Sequence, residues 1–116
     1  MNRGDVILAV IPNVGSPGGK KRPALVVQSD LNNARLRETI IAAITSNISR
    51  VHEGHQLLID ISTADGAATG LLRNSAVRCE RLHCIPQVDA ERVIGKMSDA
   101  LMMQVDECLK AALGIG

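Results

Sequence analysis

The chain has 116 residues, 46% hydrophobic and 22% charged, a balance that excludes a disordered polyelectrolyte and is long enough for one core without disulfides or a structural metal. It contains no Phe, Tyr or Trp, so the core must be aliphatic, and a nucleobase would find no aromatic platform to stack on. The formal net charge is +1, but residues 1–50 carry seven Lys/Arg against three Asp/Glu and residues 51–116 carry six against nine, which points to a polyanion as partner of the basic half.

In chain order, "VILAVI" (6–11), "PALVVQ" (23–28), "TIIAAIT" (39–45) and "QLLIDI" (56–61) are short aliphatic runs rich in β-branched residues, and each predicts a strand. Turn chemistry separates them: "PNVGSPGG" (12–19), "SDLNNARLRE" (29–38) and, after the fourth strand, the small-residue loop "STADGAATG" (62–70). "SAVRCERLHCI" (75–85) predicts a fifth strand with a slip of phase: Val77 and Cys79 share one alternation and Leu82 and Cys84 the other. That pattern places a bulge near Glu80 and Arg81. The period then changes. Met97, Leu101, Val105, Leu109 and Leu113 recur every fourth residue, widened by Cys108 and Ala112, and predict a helix over 98–113 with Ser98 as N-cap and Gly114 as its stop. The whole reads as one domain over residues 1–116, mainly β with a C-terminal helix, in which a small, strongly bent sheet forms a partly open barrel. No secretory signal precedes the first strand and the longest apolar run is too short to span a membrane, so the expected compartment is the cytoplasm.

Several motifs are weighed and set aside. "GSPGGKK" (15–21) is glycine-rich, but a phosphate loop lies between a strand and a helix, and this one runs into Arg-Pro and a strand. "HEGH" (52–55) is one residue short of the zinc-protease spacing and lies between strands, so no metal site is expected. His83 reads as a surface or half-buried residue. Cys79, Cys84 and Cys108 lack metal spacing and read as small core residues with free thiols.

Arg22 is different. Pro23 fixes the backbone at the strand entrance and pushes Arg22 toward extended geometry, a rigid support for a guanidinium that grips phosphate through two N–H groups. Lys20 and Lys21 are assigned to a mobile loop, 12–21, suited to looser attraction of a phosphate backbone. "ITSNIS" (44–49) ends the third strand with Thr45, Ser46 and Asn47. Should Thr45 meet Arg22 across neighbouring strands, the pair makes a phosphate site with a positioned hydroxyl.

In register, "RGDV" (3–6), "RPALVVQSD" (22–30), "ITSN" (44–47), "GLLRNSAVRCERL" (70–82) and "IGKMSDALMMQVDECLKAALG" (94–114) resemble the MazF/PemK toxin family over nearly the whole chain. The resemblance implies an SH3-like barrel with a C-terminal helix. It also implies a homodimeric toxin of a type II toxin–antitoxin system that cuts single-stranded RNA selectively without metal or other cofactor, by 2′-hydroxyl attack, leaving a 2′,3′-cyclic phosphate and a 5′-hydroxyl. Its partners would be messenger RNA and a cognate antitoxin. Carried over by position, Arg22 and Thr45 become the catalytic pair; Lys20, Lys21, Ser46, Asn47, Ser75 and Glu80 become RNA-contacting residues. The chain departs from the family pattern at Pro17, where an acid is common, at Ile7, near a usual aromatic, and at Asn74, where aspartate is frequent. A toxin-fold module without catalysis, binding gyrase or sequestering an antitoxin, is the competing expectation.

Overall fold

The computed structural model describes residues 1–13 and 16–116, with the side chains of residues 12–18 outside the description. Its strands are β1 (Asp5–Asn13), β2 (Ser16–Val26), β3 (Glu38–Thr45), β4 (Gln56–Ile59), β5 (Ser75–Pro86) and β6 (Ala90–Lys96). They form one curled, wholly antiparallel six-stranded sheet, a half-barrel with strand order β4-β5-β3-β2-β1-β6. The helices are α1 (Asp30–Arg35), the single turn α2 (Ala64–Ala67) and the C-terminal α3 (Asp99–Leu113).

Alternation within the strands divides the aliphatic core between two sheet faces. Val6, Leu25, Ala42, Ile44, Val77 and Cys79 lie under α3, which contributes Met102, Val105 and Cys108. Ile7, Ala9, Ala24, Val26, Ile41 and Ile85 pack on the opposite face. Helix α3 begins where the sequence predicts: Ser98 Oγ accepts the Leu101 backbone N–H at 3.2 Å, Asp99 sits in the first turn, and Gly114 closes the helix in the left-handed region at φ 71°. Leu113, expected on the buried stripe, is exposed beyond the edge of the sheet. Arg3 fastens the helix to the sheet, its Nε donating to the Val27 carbonyl at 2.8 Å and its guanidinium pairing with Asp106 of α3.

The bulge in β5 is present. Ala42 pairs with Leu82 and the next residue, Ala43, pairs with Arg78, so Cys79, Glu80 and Arg81 are inserted opposite one peptide step of β3. Other local expectations need correction. "SDLNNARLRE" contains α1, because Ser29 caps it by accepting from Asn32 N–H and a buried amide network holds it: Asn33 Oδ1 accepts from Gln28 Nε2 at 3.0 Å and from Thr39 Oγ1 at 2.7 Å. The loop 62–70 contains α2, capped by Thr63. The fourth strand stops at Ile59, two residues short of Ile61, where the Asp60 carboxylate accepts from Ser62 and turns the chain. Lys20 and Lys21 lie on β2, paired with Ile11 and Val10, rather than in a loop 12–21; residues 14 and 15 of that segment fall outside the described residues. Cys84 is exposed rather than core, because the bulge rotates the second half of β5; all three thiols are free as expected. β6 was not expected from the sequence at all.

Candidate functional site

Arg22 and Thr45 line the same cavities. The β2–β3 ladder pairs Leu25 with Ala42 and Ala24 with Ala43. Arg22 and Thr45 each lie two residues beyond the last ladder pair, Ala24–Ala43, on the face that carries those two alanines. Both residues line a cavity of about 540 Å³ on one side and a second of about 220 Å³ on the other.

The Thr45 hydroxyl accepts the Asn47 backbone N–H at 3.1 Å, and Asn47 Oδ1 in turn accepts the Ser49 N–H at 3.1 Å. This pair of turns ends β3 and leaves the Thr45 hydroxyl hydrogen available to an incoming oxygen. Arg22 is exposed and has no ion-pair partner among the described residues. Its five N–H donors are thus open to a ligand.

The larger cavity is walled by Ser46 and Ser75, by Gly70–Arg73 and by Arg92–Ile94 of β6. Ser75 is buried and its hydroxyl donates to the Arg73 carbonyl at 2.9 Å, which spends its hydrogen on shaping the wall. The wall holds its place because the loop before Leu71 lies directly against β6: Lys96 N–H donates to the Ala68 carbonyl at 3.0 Å. Glycine is required at both contact points. A Cβ on Gly70, itself at φ +75°, would strike the Ile94 carbonyl, and one on Gly95 would strike Thr69. A groove of about 340 Å³ continues from Thr45 past Asn47, Arg50 and Gln56 to Arg78.

Five further arginines border these cavities without having been singled out from the sequence as site residues: Arg73 and Arg92 in the larger one, Arg78 and Arg81 in the smaller, and Arg50, with Arg78 again, in the groove. No Asp or Glu lines any of the three. Walls of one sign attract a polyanion, although solvent screens the exposed Arg22, Arg73 and Arg92. Arg73 and Arg81 lie in the quoted motif stretch 70–82, but Arg92 sits on the strand that sequence periodicity does not reveal.

Other expected contacts fall elsewhere. Lys21 Nζ is 2.6 Å from Glu91 of β6, and neither Lys20 nor Lys21 is among the described residues lining these three cavities. Glu80 is turned toward β4, where its carboxylate accepts from Gln56 Nε2 at 3.0 Å and Arg78 Nε at 3.0 Å. Burial pushes that carboxyl up, but its own backbone N–H, Gln56 and Arg78 outweigh burial and hold it below the usual range. Asn74 has a structural task, its side-chain oxygen accepting the Ile61 N–H at 2.9 Å where the chain crosses between β4 and β5. Among the described residues no three His, Cys, Asp or Glu side chains converge as metal ligands.

The family model for the PemK-like, MazF-like toxin of type II toxin-antitoxin systems matches residues 2–113. The chain belongs to this toxin family. Endoribonuclease EndoA of Bacillus subtilis is 33% identical over 116 residues, 99% of this chain and 96% of its own length. Endoribonuclease MazF9 of Mycobacterium tuberculosis is 34% identical over 121 residues, 99% and 98% of the two chains. The fold is that of the M. tuberculosis toxin MazF-mt6, with a TM-score of 0.77 at 21% identity over 97% of this chain and 98% of that one. A mycobacterial endoribonuclease solved in complex with its cognate antitoxin superposes with a TM-score of 0.80 at 16% identity, covering 100% and 97%.

Proposed function

We propose that this PemK/MazF-family chain is an endoribonuclease toxin that cuts single-stranded RNA at the Arg22–Thr45 pair. The observation that carries the proposal is that Arg22, without an ion-pair partner among the described residues, and the strand-end Thr45 line the same two arginine-walled cavities, whose described lining holds no acid. Relatives of matching length that are named endoribonucleases support it.

The chemistry follows from the substrate. RNA carries its own nucleophile, so the protein must hold the scissile phosphate in line with the 2′-oxygen and offset the charge that grows on the non-bridging oxygens. Arg22 supplies that charge through its planar fork, and the Thr45 hydroxyl donates to a phosphate oxygen. Arg73 and Arg92 receive the flanking phosphates, while Ser46 and Asn47 offer hydrogen bonds to base edges or 2′-hydroxyls. Lys20 and Lys21 add long-range attraction only, because Lys21 is already paired. Glu80 orients Arg78 rather than reading a base. The neutralising charge is supplied by guanidinium groups, so cleavage proceeds in the presence of a chelator. The products are a 2′,3′-cyclic phosphate and a 5′-hydroxyl.

By the same reading the active form is a homodimer in the cytoplasm, held inactive by an antitoxin; for the antitoxin alone, a solved antitoxin complex of a same-fold relative lends support. The test incubates purified, antitoxin-free protein and Arg22→Ala with long RNA and chelator, then maps the 5′ ends. Specific cuts with free 5′-hydroxyls from wild type alone are expected. Absence of cutting in a broad RNA pool overturns the reading in favour of a toxin-fold binding module.

A further inference from the structure

Register places Arg78 opposite Ala43 and His83 opposite Ile41, so both stand on the sheet face that carries Arg22 and Thr45. They are five residues apart, and an unbulged strand would point them to opposite faces. The bulge therefore delivers an imidazole to the cavity of about 220 Å³ that Arg22 and Thr45 share. The ring's Nε2 is shielded from water and has no hydrogen-bond partner among the described residues. Since Nε2 is closed even to water, a ligand in the cavity can reach the ring only through its other nitrogen, Nδ1.

Attack by a 2′-hydroxyl requires a proton acceptor. Arg22 stays protonated at any working pH, and a threonine hydroxyl is too weak a base. Among the described residues lining the two cavities that Arg22 and Thr45 share, His83 alone is of a type that exchanges a proton near neutrality. Its surroundings suit the task. Arg22 from β2 and Arg78 and Arg81 from β5 line the same cavity, with Ile11 from β1 and Ala43, Ile44 and Thr45 from β3, and no carboxylate faces it there. Burial first, and then the Arg81 charge, hold the ring below the usual histidine range. It is therefore neutral, the form a base needs.

We propose that His83 is the general base of the Arg22–Thr45 site, taking the proton of the attacking 2′-hydroxyl; this rests on the RNA-cleavage reading above. As the proton passes to the imidazole, the 2′-oxygen bonds to phosphorus. The bond to the 5′-oxygen breaks with its electron pair on that oxygen, which takes a proton from water. The imidazolium returns its proton to solvent.

Wild type, His83→Gln, His83→Asn and His83→Ala are compared with Arg22→Ala on one RNA oligonucleotide, reading kcat and KM across about pH 5 to 9 together with thermal melts. The expected loss in kcat for the His83 variants is about 10²- to 10⁴-fold with KM nearly unchanged. The rise of rate with pH through the histidine titration disappears, and added imidazole restores part of the rate to His83→Ala. If the alanine variant does not fold, the near-isosteric glutamine and asparagine variants decide. Wild-type rate and pH profile in His83→Gln overturn the proposal, as does a loss of rate that keeps the wild-type pH profile and tracks a lowered melting temperature. Should wild type cut and Arg22→Ala not, while His83→Gln is unaffected, only the base is wrong; should wild type not cut at all, both readings fall.

Discussion

If Arg22 works as proposed, replacing it by alanine should separate catalysis from folding. Arg22 is exposed at the strand entrance and makes no ion pair among the described residues, so its removal leaves no buried group unsatisfied. The stability change should stay within about 0.5 kcal/mol, a shift of only about 2–3 °C in Tm for a chain of this size. The catalytic change is far larger. One preorganised donor to a developing oxyanion contributes about 3–4 kcal/mol, and a guanidinium fork offers two together with a charge. Solvent exposure screens part of this, so a fall in kcat of about 10³-fold is expected. Arg22→Lys keeps the charge but loses the fork and should fall between the two. The assay is multiple-turnover cleavage of a short RNA with chelator present, alongside a thermal melt of each variant. A folded Arg22→Ala that cuts within about threefold of wild type would refute the argument, and so would a loss of activity fully accounted for by a collapsed Tm.

Other expectations follow from the same geometry. Gly95→Ala drives a methyl into the Thr69 carbonyl, which should destabilise by about 1–3 kcal/mol in a thermal melt and raise KM by displacing the cavity wall. Thiol titration of the native protein should find one reactive cysteine, Cys84, because Cys79 and Cys108 are buried. Burial, with the nearby Cys108 and Glu80, pushes the Cys79 thiol to about 12. The hydrogen bond to Glu38 raises the Cys84 thiol as well, so Glu38→Gln should speed its labelling at neutral pH. Glu80, held below the usual range, contributes stability that is present above about pH 4.3 and lost as pH falls through its lower folded value. Glu80→Gln should therefore melt below wild type at neutral pH and converge with it in acid.

The sequence carried most of the local architecture because each element has its own chemical signature. Aliphatic β-branched runs produced β1, β2, β3 and β5, a four-residue apolar recurrence with Ser98 and Gly114 produced α3, and a phase slip in "SAVRCERLHCI" located the bulge between Arg78 and Leu82. Arg22 was legible from Pro23 beside it, and Thr45 from its place at a strand end. β6 was not legible: Glu91, Arg92 and Val93 are exposed, and an edge strand bordered only by β1 has little burial to impose alternation on its sequence. Short α1 also escaped, since six residues have no helical period to read and its stability comes from the Gln28–Asn33–Thr39 amide network, which exists only when β3 is in place.

What only the tertiary structure decided is which charges work together. Lys20, Lys21 and Arg22 are one basic run in the chain, yet folding pairs Lys21 with Glu91 and leaves Arg22, without an ion pair among the described residues, lining the same cavities as Thr45. Arg73, Arg92 and His83 come from the connection before β5, from β6 and from beyond the bulge, and they reach Arg22 only through the register of a curled sheet. Residue type and local period are properties of neighbours in the chain. A site that grips a phosphate depends on neighbours across strands, and pairing register, set by the burial of both sheet faces, is what supplies them.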